Sequence, residues 1–144
     1  MHGIKVLMAK NYIDNLSEET RKGMIEKAKQ GIWPSFAPPG YRNVIDPDGK
    51  RTIEPHPIDG PIITRLFERF AKGDVSIKAL AREFPSIRGR RFFPAQIHQA
   101  LRKRIYIGDF DFDGVTYKGT YEPLVLRELW DRVQAILDGR TSSQ

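Results

Sequence analysis

"SIKALAREFPSIRGRRFFPAQIHQALRKR" (residues 76–104) decides how this chain is read. Ser76 stands where it can cap a short helix carrying Ile77, Leu80, Ala81 and Phe84, and Pro94 can open a second that buries Ile97 and Leu101. Between them lies a basic turn. Two short helices joined in this way resemble a helix-turn-helix unit with a lengthened turn, whose second helix offers its polar face to a DNA groove. Gln96, Gln99 and Arg102 occupy i, i+3 and i+6 and are expected along one side of that helix. Gln can bond an adenine edge twice and Arg a guanine edge twice. Arg88, Arg90, Arg91, Lys103 and Arg104 are then expected to grip phosphates from the turn and the helix end. The plainer alternative is a solvated helix face with ordinary basic residues. His98 is expected to fill surface rather than bind a ligand.

Working outward, "DGPIITRLFERFAKG" (59–73) reads as a helix with Pro61 in its first turn, Ile62, Leu66 and Phe70 on one face and Gly73 ending it. "YRNVIDPDGKRTIEPH" (41–56) suggests a small hairpin around its DPDG turn, and "YIGDFDFDGVTYKGTY" (106–121) another turning at Asp113-Gly114. "LVLRELWDRVQAILDG" (124–139) is a final amphipathic helix built on Leu126, Leu129, Trp130, Val133 and Ile136. The opening is helical too, with a narrow stripe of Ile13, Leu16, Thr20, Met24 and Ala28 closed by Gly31. Asp14 or Ser17 could cap a second helix there, so one long helix and two short ones both remain open. "GIWPSFAPPGYR" (31–42) follows as a stiff, proline-rich strap. The fold class expected is α+β: several short helices with antiparallel β-hairpins, preceded by a long connecting helix, and no alternating pattern of a parallel sheet.

At 144 residues the chain fits one ordinary domain with a real core. Lys and Arg outnumber Asp and Glu 24 to 18, for a net charge of +6 and a pI near 9.7, which points to a polyanionic partner. The stretch from Ser86 to Arg104 contains no acidic residue. Zero cysteines exclude a disulfide framework, a thiol nucleophile and a cysteine-ligated zinc. No apolar run approaches the ~20 residues that span a bilayer, and a soluble, cytoplasmic chain without membrane contact is expected. "DFDFDG" (109–114) imitates the start of a calcium loop, but the twelfth position is Thr120 where a bidentate Glu is required. Alternation instead puts Phe110 and Phe112 on a buried strand face and the aspartates on the wet one. His2, His56 and His98 are far apart in sequence and no serine sits in a nucleophile elbow, so neither a catalytic residue nor a metal or other cofactor is expected.

Three blocks in order, "NYIDNLSEETRKGMIEKAKQGIWPSFAPPGYR", "LFERFAKGDVSIKALAREF" and "ALRKRIYIGDFDFDGVTYKGTYEPLVLRELWDRVQAIL", resemble the recombinase domain of large serine recombinases, the phage integrases and transposon recombinases. The resemblance runs from about residue 10 to 138, and its most specific pieces are "GIWPSFAPPGYR" and "IYIGDF" followed by "YKGTYEPL". It implies a connecting helix over residues 1–30 leaving an upstream catalytic domain, a linker over 31–42 tracking a minor groove, and a DNA-binding domain over 43–144 docked in the adjacent major groove. Trp33, Arg42 and the lysines Lys27 and Lys29 become candidate DNA contacts, with packing of Trp33, Phe36 and Tyr41 onto the domain as the plain counterpart. The partner implied is double-stranded DNA at attachment half-sites. Other recombinase subunits would be met through the catalytic domain, so this part is expected to be monomeric. The family's catalytic serine domain and cysteine-bearing zinc ribbon are not represented in these residues, and no serine here is given the nucleophile's role. A protein-interaction module using the exposed opening helix is the competing reading.

Overall fold

The computed structural model describes residues 16–142. Helix α1 (Glu18–Lys29) starts at Ser17, whose hydroxyl accepts the Thr20 N–H at 3.2 Å, and it carries Glu18 and Glu19 in its first turn and Lys27 and Lys29 in its last. That charge order suits the helix dipole. Ser17 is therefore the cap of a helix in its own right, and the part of the opening helix expected before residue 16 lies outside the described residues. The chain then runs through the strap into β1 (Tyr41–Ile45) and β2 (Arg51–Pro55), an antiparallel hairpin. Helix α2 (Asp59–Phe70) and helix α3 (Ile77–Glu83) follow, then a two-residue-per-strand hairpin of β3 (Ser86–Ile87) and β4 (Arg90–Arg91). Helix α4 (Pro94–Arg102), a 3-10 turn over Arg104–Ile107, the hairpin β5 (Asp109–Phe112) and β6 (Val115–Lys118), and helix α5 (Arg127–Ser142) complete the order. The fold is α+β, with five helices and three separate two-stranded sheets among the described residues.

Helix periodicity builds the core. On α2, Ile63, Leu66, Phe67 and Phe70 recur at i, i+3, i+4 and i+7 and each is fully buried. Ile97, Ala100 and Leu101 of α4 and Trp130, Val133 and Leu137 of α5 meet them, and Leu80 adds the contribution of α3. Burying each large side chain is worth about 1.5–3 kcal/mol relative to leaving it exposed. The β5–β6 hairpin inserts Phe110 and Phe112 into the same core and turns at Asp113 and Gly114, both at positive φ. The aspartates resembling a calcium loop are engaged elsewhere: Asp109 with Arg127 at 2.7 Å, Asp113 with Arg21 at 3.4 Å, and Asp111 with the Thr116 hydroxyl.

The strap is fastened along its length. Thr120 N–H donates to the Gly31 carbonyl at 2.9 Å, Ala37 N–H donates to the Asn43 side chain at 3.1 Å, and the Tyr106 hydroxyl donates to the Pro39 carbonyl at 2.6 Å. Tyr41 closes the strap by donating to the Glu122 carbonyl at 2.7 Å. Burial pushes the phenols of Tyr41 and Tyr106 well above the usual tyrosine range, so both remain protonated donors. Gly40 makes the last bend at φ +98°, where an added Cβ would lie 2.7 Å from Ile63 Cγ1. The prolines stiffen this segment, and the side-chain hydrogen bonds dock it onto the domain.

Candidate nucleic-acid interface

The residues between α3 and α4, read from sequence as a plain turn, form the β3–β4 hairpin. Ile87 and Arg90 pair across it, and the central Arg88 and Gly89 both have positive φ (59° and 69°), the pattern of a two-residue type I′ turn. Arg88 is a rare occupant of such a position. It is held there by its guanidinium, which donates to the Ala37 carbonyl of the strap, while its N–H faces Asp59 Oδ1 at 3.5 Å. Asp59, the one buried charged residue described, also sits 3.7 Å from His56 Nδ1. Arg88 thus joins the strap to the basic hairpin.

Helix α4 is fixed at both ends. At its start Pro94 supplies a pre-set φ and the Gln96 side chain accepts the Phe93 N–H at 2.9 Å. At its end α5 satisfies the free carbonyls: Gln134 donates to Leu101 O at 2.6 Å and Trp130 Nε1 donates to Lys103 O at 3.0 Å. Arg102 belongs to this clamp, bonding Gln134 at 3.0 Å and Asp138 at 2.8 Å.

Helical geometry explains why Arg102 parts from the glutamines. At about 100° per residue, i+6 trails i by about 120°, whereas i+7 returns to within about 20°. Lys103, not Arg102, therefore lines up with Gln96 and Gln99. Those three, with Arg88, Arg90 and Arg91, rim a cleft of about 260 Å³ between the strap, the β3–β4 hairpin and α4. Pro39 and Tyr106 form part of its floor.

The electrostatics of the cleft are one-sided. Several cations elsewhere are compensated: Arg42 bonds Glu54 at 2.7 Å directly across the β1–β2 hairpin, Arg69 bridges Asp74 and Glu83, Lys29 meets Glu26, and Arg127 meets Asp109. Among the described residues, the side chains of Arg88, Arg90, Arg91, Lys103 and Arg104 have no carboxylate within 4.0 Å. Partial desolvation, and then the Arg88 charge, lower the pKa of Lys103. Arg91 and Arg104 find aromatic faces instead, over Phe93 at 5.1 Å and Trp130 at 5.3 Å.

The structure thus brings together Arg88, Arg90, Arg91, Gln96, Gln99 and Lys103, with Arg104 beyond the end of α4. It leaves out Arg102, spent on α5, and Arg42, paired on β1. Trp33 lies outside the cleft, edge-on to Phe110 at 5.4 Å with its N–H on the Phe36 carbonyl at 2.8 Å, which is the packing role. Phe36, by contrast, is 83% exposed. His98 is exposed on α4. Sequence reasoning gave no role to Phe93, Asp59 or Tyr106. The Phe92-Phe93 pair carried a signal, since in an extended segment one ring must face away from the core.

A small α+β domain with a carboxylate-free cationic cleft is a class of structure suited to a polyanion. The recombinase family model, described as Recombinase, matches residues 57–140, and the chain belongs to that family. No curated protein matches the chain in sequence. Among solved structures it is similar to an LSR–DNA complex, with TM-score 0.69 and 21% identity over 84% of this chain and 39% of that one. It is also similar to a structure described under "Sequence Requirements of the Listeria innocua prophage attP site", with TM-score 0.68 and 21% identity over 84% of this chain and 52% of that one. The chain spans between two fifths and about half of the structures it resembles. Among the described residues, no helix is long and apolar enough to cross a membrane.

Proposed function

We propose that this chain is the DNA-recognition part of a serine recombinase, binding double-stranded DNA at attachment half-sites without cutting it. The observation that carries this reading is the concentration of cations around one cleft whose lining holds no carboxylate. Arg88, Arg90, Arg91 and Lys103 crowd one cleft beside the polar face of α4, with no carboxylate within 4.0 Å of their side chains among the described residues, and phosphates would supply the negative partners. Arg90, Lys103 and Arg104 would hold the backbone, and Gln99, exposed on α4 with no competing partner shown, would face base edges. Residues 31–42 would lie between this domain and a connecting helix over 1–30, and strand cleavage and subunit contacts would belong to the catalytic domain of the full recombinase. The similarity to a DNA-complexed recombinase supports the same assignment.

The test is selection of the purified chain against a random duplex library at about 150 mM salt, where non-specific contacts weaken. Recovery of a shared motif is expected. A folded chain that recovers none and shows no salt-dependent affinity would overturn the reading.

A second reading has its own observation. An apolar groove of about 510 Å³ between α1, the strap and the β1–β2 hairpin is flanked by Phe36 and Ile45, which are 83% and 68% exposed. A protein partner docking there would bind insensitively to competitor DNA.

A further inference from the structure

Resting on the DNA-binding reading, we infer that Arg91 and Phe93 form a composite base reader at the leading edge of α4, selecting a guanine beside a thymine. Four features of the structure lead to it. The chain from β4 into α4 is extended, so side chains alternate: Phe92 is 3% exposed in the core, while Arg91 and Phe93 project together on the outer side. Phe93 is 48% exposed, a large ring left outside the core. The Arg91 guanidinium lies over that ring, 5.1 Å from its centroid, with no carboxylate within 4.0 Å among the described residues. Gln96, the nearest amide on the helix, has its side-chain oxygen engaged by the Phe93 N–H.

The chemistry follows from these placements. A guanidinium resting on an aromatic face keeps its N–H fork free at the edge while its rotation is restricted, the condition for bidentate bonding to guanine O6 and N7. A freely moving surface arginine would suit a phosphate equally well. Capping by Gln96 leaves the first turn of α4 presenting Phe93, Pro94 and Ala95, all exposed and none offering a side-chain hydrogen bond. In a major groove the feature such a surface can recognise is the thymine 5-methyl group. Arg91 therefore leaves the set of phosphate-gripping cations and becomes a specificity determinant, with Phe93 both orienting it and touching the neighbouring base.

The experiment uses the site recovered by library selection, resynthesised with each thymine replaced in turn by deoxyuridine and each guanine by 7-deazaguanine. These changes remove one methyl group or one major-groove acceptor. For the wild-type chain, one deoxyuridine is expected to weaken binding about fourfold, the effect of exposing one buried methyl, and the adjacent 7-deazaguanine about tenfold. Phe93→Ala should lose the deoxyuridine effect and Phe93→Leu should keep most of it. Arg91→Ala should lose the 7-deazaguanine effect while leaving the salt slope unchanged, whereas a phosphate contact would lower that slope by about 0.9. If the selected site is bound but tolerates every replacement, or if Arg91→Ala flattens the slope, this inference fails and the DNA-binding reading survives. If no site is recovered and no salt-dependent binding is seen, both fail.

Discussion

The salt dependence of DNA binding tests the cations around the cleft directly. Consider Arg90, Lys103 and Arg104 changed together to Ala. None of the three has a carboxylate within 4.0 Å among the described residues, and all are exposed, so the fold loses little when they go. Each phosphate contact contributes about 0.9 to the slope of log affinity against log salt, so three should remove about 2.7. Between about 0.1 and 0.3 M salt, each contact corresponds to about a 2.7-fold loss of affinity, and the triple variant should therefore lose about 20-fold less over that range than the unchanged chain. Fluorescence anisotropy with a labelled duplex, titrated at five or six salt concentrations, would read this. The informative control removes Arg69 and Arg127, which are cationic too but spent on Asp74, Glu83 and Asp109. That variant should keep the original slope within about 0.5, because its charges release no counterions from DNA. Equal flattening by both sets would show that net charge matters and the cleft does not, which would refute the reasoning.

Arg102→Ala should lower stability by about 0.5–1 kcal/mol in urea titration, the scale of a partly exposed ion pair, and leave the salt slope unaltered, because its guanidinium clamps α5. Gly40→Ala is expected to cost roughly 2–4 kcal/mol, combining a left-handed backbone penalty with overpacking against Ile63 and Leu124; an unchanged urea midpoint would contradict the tight strap bend. Lys103→Gln should melt higher than the unchanged chain while binding DNA more weakly, since desolvation and Arg88 disfavour the charged amine in the fold. The sign follows from linkage. A lysine whose folded pKa is lowered is destabilising below that pKa, and the penalty fades as pH rises from it to the unfolded value near 10.4. The melting difference between Lys103→Gln and the unchanged chain should therefore shrink over that alkaline window.

Much of the fold was legible because periodicity and punctuation agree in this sequence. Leu66 and Phe70 of the face read on 59–73 are buried, with Ile63 and Phe67 completing it while Ile62 is only half-buried; Ser76 and Pro94 mark helix starts that the structure places at Ile77 and Pro94, and Asp113-Gly114 turns the last hairpin. The β3–β4 hairpin was not legible. Two residues per strand carry no alternation to detect, and Arg-Gly at its turn lacks the Asn or Asp that usually signals a type I′ turn. What holds Arg88 in its left-handed conformation is tertiary: the Ala37 carbonyl from the strap and Asp59 from α2, which lie 51 and 29 residues away.

The basic segment was legible in the sequence, but which of its side chains the fold engages was not, and the reason is physical. A sequence shows how many cations a segment carries, but not which ones have found a carboxylate, because the partners come from distant elements. Arg102 looks equivalent to Lys103 until α5 arrives with Gln134 and Asp138 to claim it. Arg42 looks like a free cation until β2 sets Glu54 opposite it. Gln96 looks like a base reader until the backbone N–H of Phe93, deprived of an intrahelical partner, takes its side-chain oxygen. Each subtraction sharpens what is left. Folding spends some cations on its own cohesion and gathers others, without carboxylate partners, around one cleft, and that local concentration, more than the net +6 of the chain, is what a phosphate backbone docked there would meet.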